Sequence, residues 1–94
     1  MIMSWPHLTD AFQELGYAIK AMELGREEYA RTCCGRALYC LGKHAGATDR
    51  PMVGDMMVHR VRERIIKMDL DSMRMVYNAI EGDIKEGKEE AENE

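Results

Sequence analysis

Residues 8–28 read LTDAFQELGYAIKAMELGREE, and this stretch decides the fold of the chain. Its apolar residues recur every three or four positions up to Met22, which is the spacing of one buried face of an α-helix. Gly25 then follows, and glycine readily adopts the left-handed conformation in which α-helices commonly end. Glu27 and Glu28 suit the first turn of a new helix, because acidic side chains favour the positive end of the helix dipole. So short a connection predicts two antiparallel helices, a helical hairpin. A single long helix with Gly25 inside it is the alternative, at a cost of about 1 kcal/mol.

The two predicted helices have recognisable ends. Ser4 is a candidate N-cap of the first helix, and Pro6 lies near its first turn, where a missing N–H costs little. The second helix is predicted to end at Gly46. The main loop then runs from Gly46 to Gly54 and contains the turn signal Asp49-Arg50-Pro51.

Two further helices are predicted in the second half of the chain. The third covers roughly Pro51 or Asp55 to Lys67, and the fourth begins after a cap supplied by Asp69 or Asp71. No segment alternates convincingly with period two, so no strands are predicted. The predicted fold class is therefore all-α, a compact bundle of three or four helices built from an N-terminal helical hairpin and a C-terminal helix pair.

Length and composition restrict the classes of protein that fit. A chain of 94 residues provides one domain, and 46% hydrophobic with 32% charged residues is ordinary globular composition. The longest apolar runs are only a few residues, which argues against a membrane span, and the N-terminus does not resemble a secretory signal. The three cysteines are clustered and odd in number, so they predict no disulfide framework. We expect reduced thiols and a cytoplasmic location.

The acidity of the chain lies at its C-terminal end. Residues 81–94 carry seven Asp and Glu against two Lys, a net charge of −5, whereas residues 1–80 carry a net charge of +1. We predict a single helical domain over residues 1–86 and an acidic, disordered tail over residues 87–94. A nearly neutral body does not favour nucleic acid as the partner.

The cysteines and histidines provide few candidates for chemistry. Cys40 and His44 lie four apart on the second helix and could reach one metal ion, but two ligands are not a site. Cys34, His44 and Asp49 could supply a nucleophile, a base and an orienting group. A thiol in an apolar stripe has a raised pKa and is a poor nucleophile, however. We therefore expect no enzyme activity and no metal or other cofactor.

The strongest charged feature of the body lies on the predicted third helix. Arg60, Arg64 and Lys67 share one helical face, so they could bind an acidic partner or a phosphate backbone. The alternative is a solvated polar face on which Glu63 pairs with Lys67 one turn later.

Methionine is the other unusual feature, with nine in 94 residues and six of them between residues 52 and 75. Methionine fills irregular cores, and it also serves adaptable binding surfaces. Consecutive apolar residues cannot all face one core, so helices three and four are expected to present a second apolar surface. Together with the basic face, the predicted partner-binding residues are Met56, Met57, Arg60, Arg64, Lys67, Met73, Met75 and Tyr77.

The predicted hairpin resembles one helical hairpin of the tetratricopeptide type, and the matching positions are Leu15-Gly16, Gly25, Ala30, Cys34 and Ala37-Leu38. It departs from that pattern by about two extra residues before Gly25 and by the lack of a closing proline. The resemblance implies only a single helical hairpin, because solenoids need about three repeats and no second copy of the hairpin is present.

These features predict a small non-enzymatic protein-interaction or regulatory module that acts through an apolar, methionine-rich helical surface. So short a chain is only marginally self-sufficient, so we expect a homodimer or a protein partner, and no membrane contact. Two alternatives stay open. One is an acidic inhibitor, of the phage or mobile-element type, that blocks a nucleic-acid-binding protein. The other is nucleic-acid binding through the basic face of helix three.

Overall fold

The structure is a computed structural model that describes the backbone of residues 5–47 and 52–93, and the side chains of residues 7–47 and 52–86. It contains α1 (Trp5–Glu23), α2 (Glu27–Gly46), β1 (Met52–Val53), β2 (Met56–Met57), α3 (Val58–Ile66) and α4 (Leu70–Asn93). The predicted all-α bundle is confirmed. The candidate cap Ser4 and the turn signal at residues 49–51 lie outside the described residues.

The turn between α1 and α2 confirms the helical hairpin and excludes one long helix. Gly25 has φ +74°, the left-handed region that favours glycine. The N–H of Arg26 donates to the carbonyl of Ala21 at 2.8 Å, and the N–H of Gly25 donates to that of Met22 at 3.1 Å. This pair of bonds is the Schellman motif, which satisfies carbonyls at the end of α1 and turns the chain back.

The core of the bundle is built from one face of each helix. α1 packs most extensively on α2, α4 lies against α1, and α3 closes the bundle between α2 and α4. The buried side chains that form this core are Leu8, Ala11, Leu15, Ala18, Cys33, Cys34, Ala37, Leu41, Val53, Val58, Val61, Ile65, Met73, Val76 and Ile80. Small residues dominate the α1–α2 contact, and this lets the two helix backbones approach closely.

The segment before α3 differs from the prediction. We expected helix from Pro51 or Asp55 and no strands, but an antiparallel hairpin occupies residues 52–57 and α3 begins at Val58. Gly54 has φ +60°, which suits the first central position of a two-residue hairpin turn. Its N–H donates to the Asp83 carboxylate at 2.8 Å, so α4 holds the turn in place. Strands of two residues are too short to show a period of two in the sequence.

The link from α3 to α4 is short and capped by Asp69. The Asp69 carboxylate accepts hydrogen bonds from the backbone N–H of Ser72 at 3.1 Å and from its hydroxyl at 3.0 Å. Of the two predicted caps, Asp69 is therefore the one used, because Asp71 already lies inside the first turn of α4. Met68, just before it, has φ +53° and turns the chain between the two helices.

The last helix continues to Asn93, so the acidic segment begins as part of α4 rather than after it. Glutamate, lysine and alanine dominate residues 85–93, and all three have good helix propensity. The predicted division into a domain over 1–86 and a disordered tail over 87–94 stays a prediction.

Candidate partner-binding surface

The basic stripe, defined as Arg60, Arg64 and Lys67, lies on one side of α3. Val58, Val61 and Ile65 bury the opposite side of the helix in the core. Because these apolar residues repeat every three or four positions, the intervening cations are carried to the surface. Arg60 and Lys67 are exposed, and Arg64 is half-buried. The structure thus brings together the three cations that the sequence singled out.

The stripe borders a shallow hollow between α3 and the start of α4. The hollow has a volume of about 370 Å³ and is lined by His59, Arg60, Glu63, Arg64, Lys67 and Ser72. It is open to solvent and mostly polar, so it suits a side chain or a short segment of a partner rather than an enclosed small molecule.

Arg64 connects the stripe to an exposed methionine on the next helix. Its Nη1 donates to the Sδ of Met75 at 3.5 Å, a weak contact that crosses from α3 to α4. Met75 is 51% exposed, and Met57, which caps the N-terminus of α3, is 40% exposed. The two methionines and the stripe are here called the α3–α4 surface.

The cations of the stripe lack acidic partners within the described part of the chain. Elsewhere, Arg31 pairs with Glu27 at 3.5 Å and Lys85 pairs with Glu81 at 3.8 Å. The expected pair of Glu63 with Lys67 does not form among the described side chains, although the backbone N–H of Lys67 donates to the Glu63 carbonyl at 3.4 Å. The solvated-face alternative therefore loses the ion pair that was expected to support it.

Three of the predicted partner-binding residues lie against the core instead. Met73 is fully buried, Met56 is half-buried against the core cluster, and Tyr77 stacks on Phe12 with 4.2 Å between ring centroids. Met73 is four positions from Tyr77, on the apolar face of α4, and this spacing already indicated burial. The partner-binding role of all eight residues stays a prediction, and Met73 is the one of them whose side chain is fully buried.

The sequence did not identify two other surface features. Ile66 is 64% exposed, since it lies next to Ile65 on a helix that buries only one of the two. A hollow of about 490 Å³ lies between α1 and α2, with Glu14, Arg36 and Tyr39 among its lining residues. One Glu14 carboxylate oxygen is buried there without a hydrogen-bond donor, 3.9 Å from a guanidinium nitrogen of Arg36.

The cysteines are free thiols, as expected. Cys33 and Cys34 are buried and Cys40 is half-buried. Burial raises the pKa of Cys34, and the nearby Cys33 raises it further; burial also raises the pKa of Cys40, with Asp10 and Glu14 adding to the shift. Both thiols are therefore poor nucleophiles near neutral pH.

The described residues provide neither the cluster of ligands that a metal site requires nor a helix that could span a membrane. They contain no group of three or more His, Cys, Asp or Glu placed to hold a metal ion, and His44, the neighbour of Cys40 on α2, is buried. Asp49, the third member of the candidate catalytic group, lies outside the described residues. Within residues 5–47 and 52–93, no helix combines the length and the apolar character needed to cross a bilayer.

Comparisons with protein-family models, with curated proteins and with solved structures find no match for this chain.

Proposed function

We propose that the protein is a non-enzymatic protein-interaction module that binds its partner through the α3–α4 surface. The observation that carries this proposal is the unpaired basic stripe. Arg60, Arg64 and Lys67 have no carboxylate partner among the described residues, whereas Arg31, Arg36 and Arg74 each pair with a glutamate. Cations of this kind contribute little to folding and are available to a partner.

The chemistry of the surface defines the partner class. Three cations in a line favour a segment that carries carboxylates, and they would steer its approach electrostatically. Met57 and Met75 flank the cations and offer flexible apolar side chains that adapt to different shapes. The partner proposed is therefore a protein segment with acidic and apolar residues on one face, such as an amphipathic helix.

The proposal is tested by measuring peptide affinity with the triple variant Arg60→Ala/Arg64→Ala/Lys67→Ala. The probe is a fluorescently labelled amphipathic helical peptide with glutamates and leucines on one face, and the readout is fluorescence anisotropy. We expect the triple variant to bind about tenfold more weakly or worse, because each lost charge contact contributes up to about 1 kcal/mol.

The matched control is Arg31→Ala, which also removes an exposed arginine but one already paired with Glu27. We expect its peptide affinity to equal that of the wild type. Equal affinities for the triple variant and the wild type would reject the proposal. A labelled DNA duplex that bound the wild type more tightly than the peptide, with a steep salt dependence, would replace it with nucleic-acid binding.

The acidic-inhibitor alternative gains support from α4. Because the helix continues to Asn93, the negative charge of residues 81–93 is carried on a helical segment rather than on a coil. In that role the acidic helix, and not the basic stripe, would contact the target. Deletion of residues 87–94 would then abolish inhibition, while the stripe variants would leave it unchanged.

A cytoplasmic location forms part of the same proposal. Three free thiols within eight positions persist most readily in a reducing compartment. A dimer or hetero-complex would also add buried surface to a chain whose own core is small.

A further inference from the structure

The basic stripe and the acidic end of α4 are complementary in charge but cannot meet within one molecule. The stripe carries three positive charges, and the acidic end of α4, residues 86–94, carries five Glu against one Lys, a net charge of −4. Arg64 lies beside Met75 at 3.5 Å, and residue 86 is eleven positions further along α4. At about 1.5 Å per residue, the acidic end therefore begins about 16 Å along α4 from Met75, the residue that Arg64 contacts, and extends away from it.

The turn of the β-hairpin also separates the basic stripe from the acidic end of α4. Gly54 contacts Asp83 of α4 by a hydrogen bond of 2.8 Å, so the turn lies alongside α4 between the stripe and the acidic end. The acidic end of another molecule would meet no such obstacle.

α4 presents an open face on which a second helix could lie. Its exposed residues Asp71, Met75, Asn78, Gly82 and Glu86 recur every three or four positions and form one line along the helix. Gly82 is near the middle of this line, and no atom lies within 4 Å of the place where its side chain would begin. A glycine inside a helix costs about 1 kcal/mol relative to alanine, and it allows another backbone to approach closely.

We propose that a second copy of this chain docks on the first, with the two α4 helices antiparallel and crossing at Gly82. The two-fold axis passes beside Gly82. Each residue that follows Gly82 in one copy therefore lies opposite the residue of the second copy that precedes Gly82 by the same number of positions. Met75 then faces position 89 of the second copy, and Ser72 faces position 92. Both positions carry glutamate in the sequence, and they come next to Arg64 and Lys67, which line the hollow with Ser72.

The arrangement closes on itself. The stripe of each molecule receives the acidic end of the other, so the same contact forms twice and no binding surface is left over. It also covers Met75, one of the most exposed apolar side chains on α4. This inference rests on the proposed function, because it names the acidic segment that the stripe binds.

Disulfide cross-linking with Gly82→Cys tests the register of the crossing. The full-length chain carries Gly82→Cys in a Cys40→Ser background, which removes the one half-buried native thiol. Oxidised glutathione is the oxidant: the two thiols introduced at position 82, one from each copy, form the inter-chain disulfide, and glutathione disulfide is reduced to two thiols. We expect a covalent dimer at low salt, because residues on a two-fold axis meet their own copies.

Glu86→Cys in the same background is the matched control. In the proposed register the two copies of position 86 lie eight positions apart along the axis, about 12 Å, which exceeds the reach of a disulfide of about 7 Å between Cα atoms. Little cross-linking is expected for this variant. Both variants are compared with the Cys40→Ser parent, and circular dichroism verifies that each is folded.

The electrostatic part of the inference is tested by adding Arg60→Glu/Arg64→Glu to the Gly82→Cys chain. The yield of cross-linked dimer should fall about tenfold. Salt at about 1 M should lower the yield of the Gly82→Cys chain with an unmodified stripe by a similar factor, because it screens charges that lie more than about 3 Å apart. Reversal of the acidic end as well, with Glu89→Lys/Glu92→Lys, should restore the cross-link.

The inference is overturned if Gly82→Cys gives no covalent dimer, or if Glu86→Cys cross-links equally well. It is also overturned if charge reversal on the stripe leaves the yield unchanged. A monomer by light scattering whose stripe still binds the acidic peptide would reject the self-association and leave the proposed function standing. Absence of peptide binding by the Glu89→Lys/Glu92→Lys chain, in which no acidic end of a second copy occupies the stripe, would reject the proposed function, whatever the cross-linking shows.

Discussion

The α1–α2 hairpin and the basic stripe of α3 differ in how their surface cations are paired. In the hairpin, Arg31 pairs with Glu27 and Arg36 lies 3.9 Å from Glu14. In α3, the three cations of the basic stripe have no such partner among the described residues. Two arginines of the hairpin thus pair with glutamates of the same hairpin, whereas no cation of the stripe pairs with a carboxylate among the described residues. We therefore expect changes to this surface to cost little in stability, and this expectation agrees with the proposal that it binds a partner.

The largest effect is expected from the core of the hairpin. Leu15→Ala should lower the free energy of unfolding by about 3 kcal/mol, because a fully buried leucine side chain is replaced by a cavity. Urea denaturation followed by circular dichroism measures the change. Leu24→Ala, at a position that is 60% exposed, is the control and should cost less than about 0.5 kcal/mol. Equal losses for both variants would show that the hairpin core is assigned wrongly.

Two glycines of the hairpin should respond to alanine with opposite signs. Gly25→Ala should destabilise the protein by about 1–2 kcal/mol, because φ +74° is strained for any side chain. Gly35→Ala should stabilise it by about 0.5–1 kcal/mol, because the position is helical and no atom lies within 4 Å of the added methyl. Thermal melts of the two variants compare them directly, and a gain in stability for Gly25→Ala would contradict the Schellman turn.

The corresponding connection in the other half depends on a side chain rather than on a glycine. Asp69→Ala should cost about 1 kcal/mol, because it removes the acceptor of the Ser72 N–H at the start of α4. Asp71→Ala, inside the first turn of the helix and without a capping bond, should cost less than about 0.5 kcal/mol. Denaturation curves for both establish the difference, and a reversed order would move the cap to Asp71.

The smallest effect on stability is expected from the basic stripe. Arg60→Ala/Lys67→Ala should change the free energy of unfolding by less than about 0.5 kcal/mol, because neither cation has a described partner to lose. Arg74→Ala removes an ion pair of 2.9 Å with Glu23 that joins α4 to α1, and it should cost up to about 1 kcal/mol. A large loss for the stripe variant would mean that these cations serve the fold after all, and the contrast between the two halves would disappear.

Much of the fold was predictable from the spacing of apolar residues. The sequence predicted the hairpin, its stop at Gly25 and a helix pair after residue 51, because each depends on local periodicity and local backbone preference. It missed the β-hairpin, although Gly54-Asp55 between two apolar pairs is a known turn signal. That element is held by Asp83 from α4, a contact 29 residues away that local patterns do not contain.

The candidate surface was predictable only in part. Spacing alone brought Arg60, Arg64 and Lys67 to one face, and the structure agrees. The methionines were harder, because a methionine in the core and one on the surface have the same composition and similar neighbours. Met73 and Met75 are only two positions apart, yet one is buried and the other half exposed. Which of the two methionines is buried depends on which face of α4 the other helices cover.

The bond between Gly54 and Asp83 has a consequence for the tolerance of the chain to change. It attaches the β-hairpin that precedes α3 to α4, a helix that comes later in the chain. This attachment does not depend on the residues that join α2 to the β-hairpin. We therefore expect α3 to keep its place when residues are added to or removed from the connection between Ala47 and Met52. This makes it a natural position for an inserted tag or a grafted loop, and one where related sequences could gain or lose residues without redesign of the bundle.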